Sequence, residues 1–272
     1  MTTIKKKSIL VLTGLFISLF SILFTHNAFA GFTVTPLEFN ISIEPGESQT
    51  NTFWIKNSGN EPFLLKIYLN DFWLDREGQE AFLAPELREY SCADWTALSP
   101  IELEIAAGES KPVRFTVDFP TDKSGSFWGI IFVEQVSNPK VDKRGDTTKQ
   151  SFSVLTYQRV GVRVFINSTL GTKEGLIEDI AFSKDPLGIS VYFKNTGTYV
   201  FKGEGKINIL DDKANTIQTL AINKFRSYPN AARKIFTKLD EENKLPTGKY
   251  TAVAIIDYGS ENLVAGELEF EI

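Results

Sequence analysis

From Phe32 to Ile272 the apolar residues recur with a period of two, in short runs closed by turn residues, and a period of 3.6 is nowhere sustained. Successive side chains of a strand point to opposite faces of a sheet, so this pattern favours half-buried strands over amphipathic helices. In the first run Leu37, Phe39, Ile41 and Ile43 share one face, and Glu44-Pro45-Gly46-Glu47-Ser48 closes it as a turn. Pro there presets φ and Gly accepts a positive one. Alternating runs follow at 51–56, 63–69, 101–105 and 113–117, the last two separated by a second turn, Gly108-Glu109-Ser110. Residues 127–133 are apolar without interruption, as expected of a central strand buried on both sides. A second series occupies 176–182, 189–194, 205–210, 216–222, 232–236, 248–257 and 263–272. Short strands broken by frequent turns predict an all-β chain of two immunoglobulin-like β-sandwich domains. Lys56-Asn57-Ser58-Gly59 and Lys194-Asn195-Thr196-Gly197 stand after the second strand of each half and support two related domains.

The chain begins with the three-part layout of an export signal. Lys5, Lys6 and Lys7 precede an apolar run from Ile9 to Phe24, and Ala28-Phe29-Ala30 sets small residues where a signal peptidase reads. The apolar run is shorter than the roughly 20 residues a spanning helix needs. Cleavage after Ala30 is expected, giving a signal peptide at 1–30, a first sandwich at 31–170 and a second at 171–272, with residues 167–173 as the linker. No second long apolar run follows. The expected location is the periplasm, or alternatively the cell exterior or surface, with no stable membrane insertion.

Losing the leader removes three lysines, so 29 basic residues become 26 against 34 acidic ones, a net charge of −8. That balance argues against nucleic acid as a partner, which needs clustered Lys and Arg. The only histidine, His26, leaves with the leader. Ser-His-Asp and Cys-His catalysis and histidine-ligated zinc go with it. Cys92 is the single cysteine, so no internal disulfide forms, and a semi-buried place near a turn is expected for it. Asp71, Asp75, Glu86, Glu89 and Asp94 read as solvated loop charges, and Asp211-Asp212 as a hairpin turn without a calcium-loop pattern. Trp54, Trp73, Trp95 and Trp128 all lie in the first half; Trp128 reads as core. Neither a catalytic residue, a metal ligand nor a cofactor is expected, and the chain reads as a binding protein rather than an enzyme.

A polar, Lys-rich stretch at 137–150 reads as a loop leading into one long strand at 152–166. By pleat, Val160, Val162, Val164 and Ile166 face one way, and Arg159, Gly161, Arg163 and Phe165 the other. The two arginines are either solvated or paired with a Glu on a neighbouring strand, or one of them holds a carboxylate.

Several residue strings resemble the N-terminal domain of the PapD-like periplasmic pilus chaperones. They are Val34-Thr35-Pro36, the turn at 44–48, Trp54-Ile55-Lys56-Asn57-Ser58-Gly59, Ile105-Ala106-Ala107-Gly108-Glu109-Ser110, Val117-Asp118-Phe119-Pro120 and Ser126-Phe127-Trp128-Gly129-Ile130. The likeness covers roughly 31–167 and extends to a broader group of bacterial surface proteins built on the same module. It implies strand lending to an exported β-rich protein subunit, in which backbone bonds give affinity and alternate apolar side chains give specificity. The candidate donor strand then carries Val154, Leu155 and Tyr157. Arg163 falls where the family holds the subunit's C-terminal carboxylate, and Arg159 is the available second cation. Where the family has an Arg on its first strand, this chain has Pro36-Leu37-Glu38, and Glu38 is expected to repel a carboxylate. The polar excursion at 75–95 is longer than the family's. An exposed donor strand can also self-pair as a homodimer. The alternative reading is a non-enzymatic surface or matrix module binding a protein or glycan through loops or exposed aromatics.

Overall fold

The computed structural model describes residues 31–85, 89–136, 158–240 and 242–272; the expected signal peptide and the segment bearing Val154, Leu155 and Tyr157 lie outside them. The first sandwich is built from β1 (Phe32–Thr35), β2 (Glu38–Ile43), β3 (Ser48–Asn57), β4 (Phe63–Leu74), β5 (Glu80–Leu83), β6 (Thr96–Ser99), β7 (Glu102–Ile105), β8 (Ser110–Asp118), β9 (Ser126–Val136) and β10 (Arg159–Ser168). One sheet runs β1-β3-β8-β6 and the other β2-β10-β9-β4-β5, with β7 also on β4. Phe53, Ile55, Phe115 and Val117 of the first sheet meet Leu65, Ile131, Val162 and Val164 of the second in a core closed to solvent. The second sandwich pairs β11 (Gly175–Lys184), β12 (Leu187–Asn195) and β15 (Ala232–Lys238) in one sheet. Its other sheet runs β14 (Thr216–Ser227), β13 (Phe201–Leu210), β16 (Lys249–Asp257) and β17 (Val264–Glu271). Its core centres on Val191, Phe193, Ile207, Ile209, Ala252 and Ile256.

β9 shows why one stretch of the sequence loses its alternation. It lies between β10 and β4. Ile131 and Val133 face the sandwich core, while Trp128, Ile130 and Phe132 face a separate apolar cluster towards the second domain. Both faces are dry, so both parities are apolar.

The two Gly-Glu-Ser turns are one device used twice. Gly46 and Gly108 have φ of 87° and 74°, which L-residues rarely adopt. The Glu47 N–H donates to the Glu44 carbonyl at 3.1 Å, and the Glu109 N–H to the Ala106 carbonyl at 3.1 Å. Each Glu side chain then accepts from the main chain three residues back: Glu44 N–H to Glu47 at 3.2 Å, Ala106 N–H to Glu109 at 2.8 Å.

The repeated Asn motif is likewise structural in both halves. Asn57 and Asn195 are fully buried at the ends of β3 and β12. The Asn57 amide donates to the carbonyls of Glu61 (2.9 Å) and Ile105 (3.3 Å), and its oxygen accepts from Gly59 N–H (2.8 Å). Asn195 does the same with Tyr199 (2.8 Å), Ser227 (3.4 Å) and Gly197 N–H (3.0 Å). Each buried carboxamide is itself satisfied by main-chain groups of the corner it closes. Asn57→Ala or Asn195→Ala is therefore expected to destabilise its sandwich by about 1–3 kcal/mol, read by urea denaturation, because two carbonyls and an N–H, in part buried, lose their partners.

Candidate functional site

The site is organised by the change of sheet between β1 and β2. β1 pairs with β3, and after the cis Thr35–Pro36 bond the chain crosses over and β2 runs parallel to β10. Leu37 sits on the crossover and is 51% exposed, so it does not share the buried face of Ile41 and Ile43 as its spacing suggested. The β2 pairing starts with the Arg163 N–H donating to the Leu37 carbonyl at 2.9 Å and continues to Ser168. Upstream, residues 159–162 pair with β9. Among the described residues their other edge has no strand partner. Gln158 just before them is a clasp: its carboxamide donates to the Phe32 carbonyl (2.8 Å) and accepts from the Phe32 N–H (2.9 Å), tying β1 to the start of β10.

β10 presents its residues with the parity read from the sequence. Val162, Val164 and Ile166 enter the sandwich core, and Phe165 enters the cluster towards the second domain. Gly161 permits the Ile130 side chain to lie across the strand; a Cβ there would stand 2.5 Å from Ile130 Cδ1. The Arg159 guanidinium lies 4.4 Å from the Phe132 ring centre and 5.9 Å from that of Phe82. Arg163 pairs with Glu80 of β5 at 2.5 Å. The two arginines stand four positions apart along the strand, about 13 Å. Each is held by different neighbours: Arg159 by the Phe132 and Phe82 rings, Arg163 by Glu80.

Glu38 does not stand as a repelling charge. Its Oε1 accepts from Arg226 Nη2 of β14 at 2.7 Å and from Asn40 Nδ2 at 2.9 Å, with Lys202 Nζ of β13 at 3.6 Å. Burial pushes the Glu38 carboxyl up, but the hydrogen bonds from Arg226 and Asn40 and the charges of Arg226 and Lys202 outweigh it. The carboxyl therefore titrates below its ordinary 4.5. The Arg226 guanidinium also lies 3.8 Å from the Phe165 ring centre, so one side chain of the second domain holds two strands of the first.

Beside it Tyr228 packs into an aromatic cluster of the first domain, with ring centres 4.9 Å from Trp128, 6.3 Å from Phe72 and 6.4 Å from Phe165. Burial pushes its hydroxyl up to about 12, against the pull of Arg226 and Arg163. Tyr90 stacks on Trp128 at 3.9 Å, and the Trp128 indole N–H donates to the Phe72 carbonyl at 3.0 Å. The long excursion thus belongs to this interface. The tip between β4 and β5 reaches the second domain, where the Lys234 N–H donates to the Arg76 carbonyl at 2.9 Å and Arg76 lies 4.4 Å over Tyr192. Asp71, expected as a solvated loop charge, is fully buried and accepts from the Ser91 hydroxyl at 2.6 Å. Cys92 is buried, and burial pushes its thiol up to about 12, which leaves it unreactive. Glu80, Lys202, Arg226 and Tyr228 were missed by sequence reasoning. Each meets a residue more than eighty positions away, and nothing local in the chain marks such a pairing.

Among the described residues no group of His, Cys, Asp and Glu could hold a metal ion, and no helix is long and apolar enough to cross a membrane. No protein-family model and no curated protein matches the chain. A chain from a chaperone–tip adhesin complex, described as vital for activation of CFA/I fimbriae biogenesis, is similar in fold. It has 15% identity and a TM-score of 0.51, over 88% of this chain and 98% of the other. The class 5 fimbriae chaperone CfaA (14% identity, TM-score 0.47) and the E. coli chaperone DraB (13%, 0.44) each match 89% of this chain and 98% of their own. The chain is thus a two-sandwich protein with the PapD-like chaperone fold.

A carboxyl whose titration point is depressed on folding stabilises the fold above its ordinary value and loses that contribution as the pH falls through the lowered one. The melting temperature of wild type is expected to exceed that of Glu38→Gln above pH 4.5, with the gap shrinking as the pH is taken well below that value. Thermal melts across an acid series check this.

Proposed function

We propose that this protein is a periplasmic assembly chaperone that binds an exported β-rich subunit, of the pilus or surface class, by lending it the strand leading into β10. The observation that carries the reading is the edge at 159–162, which β2 leaves open because its pairing begins only at Arg163. Val160, Gly161 and Val162 continue a segment whose upstream part holds Val154, Leu155 and Tyr157. A partner strand laid along that edge would gain main-chain hydrogen bonds, with alternate apolar side chains selecting it. The fold shared with a fimbrial chaperone complex supports the same reading. Nothing in it calls for catalysis, a cofactor, nucleic acid or membrane insertion.

The role of Arg163 as a carboxylate anchor takes a particular form here. Glu80 already holds one guanidinium nitrogen, so an incoming carboxylate takes the remaining donors or displaces Glu80. Both side chains are partly exposed, and such a pair is worth about 0–1 kcal/mol, so exchange is cheap.

The test is affinity capture from a native periplasmic extract with wild type, Leu155→Asp and Arg163→Ala, read by mass spectrometry. Wild type is expected to retain a small exported β-rich subunit. Leu155→Asp is expected to lose it about tenfold or more, and Arg163→Ala to weaken it. Capture indifferent to both changes rules out strand lending. Glycan or envelope material alone transfers the reading to a surface-interaction module, and recovery of only a second copy of the chain to a homodimer.

A further inference from the structure

A pocket of about 650 Å³ opens between the two domains, on the β2 side of β10, and strand lending leaves it unexplained. Its cations are Lys173 from the linker, Lys202 from β13 and Arg226 from β14. The side chains of Asn40, Ser42 and Asn167 add hydrogen-bond donors from the first domain. No carboxylate is among the described residues that line it. Arg226 and Lys202 both meet Glu38, a single oxygen of which they share with Asn40. Lys173 reaches only the Gly259 carbonyl, at 3.4 Å. Three cations thus line the pocket and no acid does among the described residues, in a chain whose net charge is −5.

The donors are also held in place. Arg226 is 15% exposed and is fixed by Glu38 on one side and the Phe165 ring beneath it. A guanidinium carries five N–H donors in a rigid fork, and one bond to Glu38 does not exhaust them. Asn167 Oδ1 accepts from the Ser126 hydroxyl, which leaves its amide N–H groups to donate. The pocket wall is kept rigid by the Tyr199 hydroxyl, which donates to the Ser168 carbonyl at 2.6 Å. Positive charge, oriented donors and a volume suited to a small molecule define an oxyanion site.

We infer that this inter-domain pocket binds a small ligand carrying two negative charges on carboxylate or phosphate oxygens, held between Lys173, Lys202 and Arg226. The ligand would bridge β2 and β10 of one domain to β13 and β14 of the other, so its binding would stiffen the inter-domain angle.

The test uses the purified chain at low ionic strength, titrated with succinate, inorganic phosphate and neutral succinamide by calorimetry and amide-shift mapping. Saturable one-to-one binding of succinate or phosphate is expected, with shifts at 40–42, 167–173 and 199–202, and none by succinamide. The double variant Lys173→Ala/Lys202→Ala changes two exposed side chains and is expected to fold, which circular dichroism checks. It should bind about tenfold or more weakly, and added salt should weaken wild type. Binding of succinate alone assigns the site to carboxylates, and of phosphate alone to phosphoryl groups. Absence of binding by both anions, equal binding of succinamide, or an unaffected double variant overturns the inference. Subunit capture is a separate measurement, so strand lending and the anion site stand or fall independently.

Discussion

A phenol of the second domain, Tyr228, stands in an aromatic cluster otherwise made by the first, 4.9 Å from Trp128 and within 6.4 Å of Phe72 and Phe165. Aromatic pairs in such offset and edge-on contacts contribute about 0.5–1.5 kcal/mol each beyond the apolar area they bury. The surface ion pairs around them contribute about 0–1 kcal/mol each. The aromatic cluster therefore supplies most of the holding force between the domains. The charges decide orientation: Arg226 lies on Phe165 and is turned towards Glu38, and the carboxyl responds by titrating low. Without the dry wall provided by Tyr228 and Phe165, water would screen that pair and the angle between the domains would loosen.

The same wall explains the distribution of charge at the cleft. Glu38 would be a poor neighbour for an incoming carboxylate if it stood alone. Held by Arg226 and Lys202, it instead anchors cations of the second domain beside β2. Arg163 is similarly held by Glu80 from the hairpin that straps one domain to the other. The cleft thus carries alternating charges rather than a pair of free cations. Binding at Arg163 would be an exchange of partners, whose cost is low because that side chain and Glu80 are both partly exposed.

Much of the fold could be read from the chain because its rules are local. The Gly-Glu-Ser turns need a left-handed glycine and a glutamate one residue on, and both turns have them. The Asn-x-Gly pairs reveal a repeat because a buried carboxamide closes the same corner twice. β10 kept the parity of Val162, Val164 and Phe165, since a strand has no other choice. Leu37 broke the parity rule because the chain changes sheets there, and a crossover looks like any other extended dipeptide. Asp71 looked solvated because the hydroxyl that dries it out belongs to Ser91, twenty residues on. Arg226 and Glu38 are 188 residues apart, and only the packing of whole domains brings them together.

An unpaired strand edge invites association with any other chain, so a sandwich that keeps one open has to close the others. β1, β5 and β6 are four residues long, too short to template much pairing. β17 sets Glu267, Glu269 and Glu271 along the last strand of its sheet, and β15 carries Arg233, Lys234 and Lys238. A partner strand approaching those edges meets a row of like charge, or too little backbone to hold it. The start of β10 is different. Val160, Gly161 and Val162 carry no charge, Gln158 fixes their backbone to β1, and arginines stand only at 159 and 163. Backbone rigidity, neutral side chains and a missing neighbour coincide there, whereas β14, a longer and largely neutral edge, lies on the second domain. That coincidence is the physical basis of the proposal that a partner strand pairs with this segment.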